Sequence, residues 1–133
     1  MSAFVSIGGW EPRCSVGVPD IKTWILFAAT YDSKTTFLTT YVNGEKKAQV
    51  AREGKAIPNV NPVTIGHWGG SSNFKGIIDE VAILNVVLEE NDIKDIATNG
   101  FILYFIIGFY HRRFFIRTYV RYSLISTMNL NAF

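Results

Sequence analysis

Thr35-Thr36-Phe37-Leu38-Thr39-Thr40-Tyr41-Val42-Asn43-Gly44-Glu45-Lys46-Lys47-Ala48-Gln49-Val50 is the stretch whose reading decides the fold. Its first eight residues are rich in Thr, Phe, Tyr and Val, the types that fit a pleated, half-buried surface. Asn43-Gly44 comes next. Both central positions of a type I′ turn need a positive φ, so Asn-Gly between two such runs is the strongest short-range hairpin signal. Glu45 to Val50 is then the returning strand, polar enough to lie at an edge.

Outward from this hairpin, further strands are expected. Ile21 to Asp32 is a nearly continuous apolar run with β-branched and aromatic content, ended by the turn-like Asp32-Ser33-Lys34. Within it, Trp24 and Tyr31 read as core residues. Ile57 to Pro62 reads as a loop, because its two prolines cannot donate to a central ladder. Val63-Thr64-Ile65 is a short strand ended by Gly66, and Gly69 to Asn73 a surface loop. Phe74 to Leu84 is a further strand with a bulge near Gly76. From Leu88 the period becomes helical, with Leu88, Ile93, Ile96 and Ala97 on the apolar side. Asn99-Gly100 is a suitable helix stop, so one short helix is expected near residues 89–98. Short strands at regular spacing with one short helix predict an all-β chain, an antiparallel β-sandwich.

Five segments occur in order: Trp24-x3-Ala28-x2-Tyr31-Asp32, Tyr41-Val42-Asn43-Gly44, Ile65-Gly66, Phe74-x-Gly76-x-Ile78-Asp79-Glu80-Val81 and Leu84-Asn85-x2-Leu88. With the closing helix they resemble the C-terminal half of a laminin-G-like, concanavalin A-like lectin/glucanase jelly roll, over roughly residues 5–100. The resemblance implies a two-sheet β-sandwich, usually in extracellular or surface proteins. It also implies carbohydrate or protein binding and a structural calcium ion. A jelly roll needs about eight strands in two Greek keys, and six or seven are visible. The strands that complete both sheets are therefore expected to lie outside this sequence, making it an incomplete domain and a fragment of a larger protein. Where the family's closing helix begins with Ser, this chain has Glu89.

Composition divides the chain at Asn99-Gly100. Residues 1–100 carry nine Lys/Arg and eleven Asp/Glu, a net of −2, whereas residues 101–133 carry Arg112, Arg113, Arg117 and Arg121 with no acid. A net charge of +2 over 133 residues argues against a polyanion binder, so no nucleic-acid partner is expected. The 48% hydrophobic content excludes global disorder. Cys14, the single cysteine, excludes a disulfide framework. Met1 to Trp10 lacks the basic and apolar regions of a signal peptide. The domain is placed at residues 1–100. The apolar run that opens the aromatic- and Arg-rich tail, residues 101–110, falls short of the about 20 residues of a spanning helix. The tail keeps two readings: a membrane-contacting or strand-forming segment, or the product of out-of-frame translation. On the second reading its removal is harmless.

The resemblance extends to glycoside hydrolases, which need two carboxylates across a cleft. Asp79 and Glu80 are adjacent, and neighbouring strand residues face opposite sides. Without a bulge at Gly76 they cannot pair, so no catalytic residue is assigned. Asp79 is the candidate metal ligand, since Ca²⁺ takes carboxylate and carbonyl oxygens and the resemblance places calcium near this strand. Trp68, His67, Asn73 and Trp10 are the ligand-binding candidates. An indole face stacks on the apolar face of a pyranose, while Asn and His bond its hydroxyls, and His67-Trp68 opens a Gly-rich loop. The expected function is a non-catalytic recognition module for glycan or protein ligands, extracellular or at the cell surface. The alternatives are a truncated structural domain without independent activity and the remnant of a glycoside hydrolase.

Overall fold

The computed structural model describes residues 1–7, 9, 12–17, 22–57, 60, 62–68, 72–108 and 131–132. Among these the elements run β1 (Ser2–Val5), β2 (Cys14–Ser15), β3 (Phe27–Asp32), β4 (Phe37–Val42), β5 (Glu45–Ala51), β6 (His67–Trp68), β7 (Ser72–Asn73), α1 (Glu90–Gly108) and β8 (Asn131–Ala132). They form two three-stranded sheets, β2-β1-β8 and β3-β4-β5, and a two-stranded ribbon, β6-β7. All pairs are antiparallel except β1 with β8.

The β3-β4-β5 meander is built by its turns. Between β3 and β4, the Asp32 carboxylate accepts the Lys34 N–H at 2.9 Å and the Thr35 hydroxyl at 3.0 Å. This is the Asx geometry that makes Asp a turn residue, and the bond from Lys34 N–H holds the Asp32 carboxyl below its ordinary range. Between β4 and β5, Asn43 and Gly44 have φ of 51° and 84°, the positive pair that a type I′ turn demands. Asn43 also fastens the start of β3: its Oδ1 accepts Leu26 N–H at 2.9 Å, and its own N–H donates to Leu26 O at 2.9 Å. β3 and β4 stay in register from Phe27↔Val42 to Asp32↔Phe37. β4 and β5 shift register between Thr40 and Tyr41, a bulge on the β5 side. β5 exposes Glu45, Lys46, Lys47 and Gln49, as expected of an edge.

The first sheet lies on this meander, with β1 and β2 against β4. Ala3, Val5, Cys14 and Leu38 form the core between them, and Phe27, Ala29, Tyr31 and Val50 pack around it. Cys14 is fully buried with its Sγ 3.2 Å from Thr40 Oγ1. Met1 and Ile25 form a second cluster with Val16, Val42 and Phe74. One buried arginine joins the sheets. Arg52 Nε donates to Val5 O at 3.1 Å and Nη2 to Gly9 O at 2.6 Å, while its carbonyl accepts the Tyr31 hydroxyl.

The helix starts one residue after Glu89. Glu89 O accepts Ile93 N–H, and the Asp92 carboxylate, three residues into the turn, accepts Glu89 N–H at 3.0 Å. That is one half of a capping box, the half that satisfies the N–H of Glu89 itself. Ile93 and Ile96 are buried. Gly100, at φ 74° and ψ 168°, breaks the helix at the expected place, and helical backbone resumes to Gly108.

The architecture is the expected one: strands in antiparallel sheets with one helix, a partial sandwich without barrel closure. Five details differ from expectation. Ser72 and Asn73, expected within the surface loop, form β7, because their backbones pair with Trp68 and His67. Trp24 precedes β3 and is 58% exposed, so it is not core. Tyr31 is only half-buried because its hydroxyl reaches outward to the carbonyls of Arg52 and Gly54. The strand expected at Val63–Ile65 forms instead at β6, because the positive φ of Gly66 turns the chain before pairing begins. Phe74 to Leu84 is not a strand. Pairing ends near Phe74, whose N–H reaches Gly66 O at 2.8 Å, and beyond it only Glu80 makes an isolated bridge.

The β4–β5 turn is also where α1 docks. A Cβ on Gly44 would stand 2.9 Å from Lys94 Cα and 3.1 Å from Ala97 Cβ. Gly44→Ala therefore meets both a positive φ and helix backbone. It should destabilise the chain by about 1–3 kcal/mol in urea unfolding, and an unchanged midpoint would place the helix elsewhere.

Candidate functional site

The ribbon β6-β7 carries three of the four ligand-binding candidates. His67 stands opposite Asn73 in register, and the backbone of Trp68 opposite Ser72. Directly opposed residues of an antiparallel pair have Cβ atoms about 4.5–5.5 Å apart on one face. His67 and Asn73, six residues apart in sequence, are thereby joined into one polar pair, and both are exposed. An imidazole beside a carboxamide offers donors and acceptors at neighbouring positions, a set suited to hydroxyls or to peptide groups.

Phe74, directly after β7, seats the ribbon by packing into the Met1–Ile25 cluster. At the base, Gly66 lies against Ile78, where an added Cβ would sit 3.1 Å from Ile78 Cδ1. The exposed pair is thus mounted on a short ribbon with one apolar anchor. Trp10, the fourth candidate, lies outside the described residues.

Asp79 is placed apart from this pair. It lines a cavity of about 990 Å³ between β3, residues 79–88 and α1. Phe27, Ala29, Val81, Leu84, Ile93 and Ile96 contribute apolar walls, and Asp32, Lys34 and Glu80 add charge. Calcium takes six to eight oxygens with several carboxylates. Among the described residues no group of three or more His, Cys, Asp or Glu could hold a metal ion, and the Asp32 oxygens serve the β3–β4 turn. The described residues do not by themselves fit a calcium site.

Sequence reading missed the cavity altogether. Its walls come from β3, a non-strand segment and a helix, and no local pattern announces that they enclose a space. The only sequence signal was the surplus of apolar residues from Ile77 to Leu88.

A laminin-G-type family model, described as the concanavalin A-like lectin/glucanases superfamily, matches residues 4–94. No curated protein and no solved structure matches the chain. The matched region spans β1 to the first turn of α1 and includes the ribbon.

Because Gly66 has φ 71° and Ile78 against it, Gly66→Ala should loosen the ribbon without touching the sandwich. Amide exchange at Trp68 and Asn73 should accelerate while β4 amides keep their rates. Equal acceleration in both would tie the ribbon to the global core.

Proposed function

This chain belongs to the concanavalin A-like lectin/glucanase superfamily, and we propose that within it the chain is a non-catalytic recognition module for glycan or protein ligands. The observation that carries the reading is the register of the ribbon, which sets exposed His67 opposite exposed Asn73 beside Trp68. Such a site binds by hydroxyl contacts and ring stacking and needs no titrating group. In sugar recognition the carboxamide of Asn73 donates and accepts at vicinal hydroxyls, His67 supplies a further donor or acceptor, and an indole at position 68 supplies apolar area.

The absence of catalysis is supported by the acids. A glycosidase sets two carboxyl groups about 5–9.5 Å apart across a cleft. Here the Asp32 carboxylate is engaged by Lys34 and Thr35, and Asp79 and Glu80 line the cavity from one and the same chain segment rather than from opposite sides. No part of the proposed recognition is routed through calcium at Asp79, because the described residues do not by themselves fit that ion.

The setting proposed is extracellular or at a cell surface, the usual one for laminin-G-like domains. No helix of the described residues is long and apolar enough to cross a membrane. The charge balance of residues 1–100 favours neutral ligands or proteins over nucleic acid.

Glycan arrays probed with the full chain test the reading. Trp68→Ala should weaken binding by about 1–3 kcal/mol and Asn73→Ala by about 0.5–1.5 kcal/mol, with far-UV circular dichroism unchanged. Blank arrays would overturn the glycan reading, and loss of β signal in Trp68→Ala would make that residue structural.

A further inference from the structure

Asn43-Gly44 and Asn99-Gly100 are the two Asn-Gly pairs of the chain. A glycine after asparagine has no Cβ to shield its amide nitrogen, so that nitrogen can attack the asparagine carboxamide. The fold holds the two pairs differently. Asn43 has φ 51° in the β4–β5 turn, its Oδ1 accepts Leu26 N–H, and its own N–H donates to Leu26 O. In left-handed backbone ψ is about +47°, and the next nitrogen then stands nearly opposite Cβ about the Cα–C bond. Gly44 is also buried, with Lys94 Cα 2.9 Å from the place of a Cβ. Reaction at Asn43 therefore needs the turn to open.

Asn99 is exposed and immediately precedes the break in α1. The non-helical angles fall on Gly100, so Asn99 keeps a helical ψ, about −42°, which sets Gly100 N gauche to Cβ. A shorter rotation then brings that nitrogen onto Cγ. Thr98 Oγ1 donates to Lys94 O at 2.9 Å, a back-bond that slightly destabilises a helix, and helix ends open at low cost. Among the described residues nothing lies within 4 Å of where a Gly100 Cβ would stand. We propose that Asn99 is a site of spontaneous deamidation and that the fold spares Asn43. Gly100 N bonds to Asn99 Cγ and gives its proton to water. The Cγ–Nδ2 bond breaks, and Nδ2 leaves as ammonia, taking a proton from water. A further water opens the cyclic imide. Cleavage between Gly100 N and Cγ gives aspartate. Cleavage between Gly100 N and the Asn99 backbone carbonyl gives isoaspartate, whose main chain runs through Cγ. Nothing is oxidised or reduced. Both products place a carboxylate at the C-terminal end of the Glu90–Asn99 helix, where the dipole disfavours negative charge. Isoaspartate also lengthens the chain by a methylene at the break.

Ageing of the full chain in neutral buffer, followed by peptide mapping with mass spectrometry, is the test. The amide-to-acid mass gain should accumulate at Asn99 about tenfold or more faster than at Asn43. A carboxyl methyltransferase specific for isoaspartate should label the aged peptide that contains position 99. Asn99→Gln, whose longer side chain closes a larger ring far less readily, should remove the fast gain. In urea, where neither the turn nor the helix persists, the rates at Asn43 and Asn99 should converge. Equal rates in the folded chain, faster gain at Asn43, or a fast gain that survives Asn99→Gln would each overturn the proposal. So would rates that stay apart in urea, because the neighbouring sequence and not the fold would then choose the site.

Discussion

The seating of the short β1–β2 pair on β4 is the contact on which the rest of the structure depends. Leu38 is 2% exposed and meets Ala3, Val5 and Cys14. Strands as short as β1 and β2 have no stability of their own, and a three-stranded meander with one apolar face must cover it. Each supplies what the other lacks. Burying a side chain of the size of Leu38 or Val5 contributes about 1.5–3 kcal/mol, so a few such residues decide whether the sandwich closes. Polar links then fix the arrangement. Arg52 satisfies the carbonyls of Val5 and Gly9, Ile57 N–H bonds Ser6 O, and Thr40 meets Cys14.

The range of the forces involved decides how much was legible in the sequence. The β4–β5 hairpin was plain because Asn43-Gly44 encodes its turn locally. The helix break was equally plain at Gly100, where a positive φ is required. β1 and β2 were not legible. Phe4 and Val5 are buried on both faces by partners distant in sequence, and no period of two appears in four residues. Phe74 to Leu84 has the composition of a strand, but among the described residues its pairing amounts to an isolated bridge at Glu80, and a cavity lies between residues 79–88 and β3. Composition cannot report whether a neighbour exists. Trp24 was misplaced as well, since it precedes β3 and lines the cavity instead of the core.

The candidate site was partly legible. The Gly-rich loop pointed to His67, Trp68 and Asn73, and the register of β6 with β7 explains why two of them form a unit. Their spacing alone does not, since Gly66 decides where pairing starts. The site and the core use opposite physics. The core depends on packing of apolar side chains that exclude water, whereas the ribbon keeps polar groups in water on one apolar anchor, Phe74. This separation lets a recognition surface change its ligand without altering the sandwich.

A double-mutant cycle on Val5→Ala and Leu38→Ala, read by urea unfolding of the full chain, bears most directly on the seating of β1 on β4. The account predicts that the two losses are coupled by about 0.5–3 kcal/mol, as expected for side chains sharing one contact. Losses that add to within about 0.3–0.5 kcal/mol would contradict it, because β1 and β4 would then be stabilised independently.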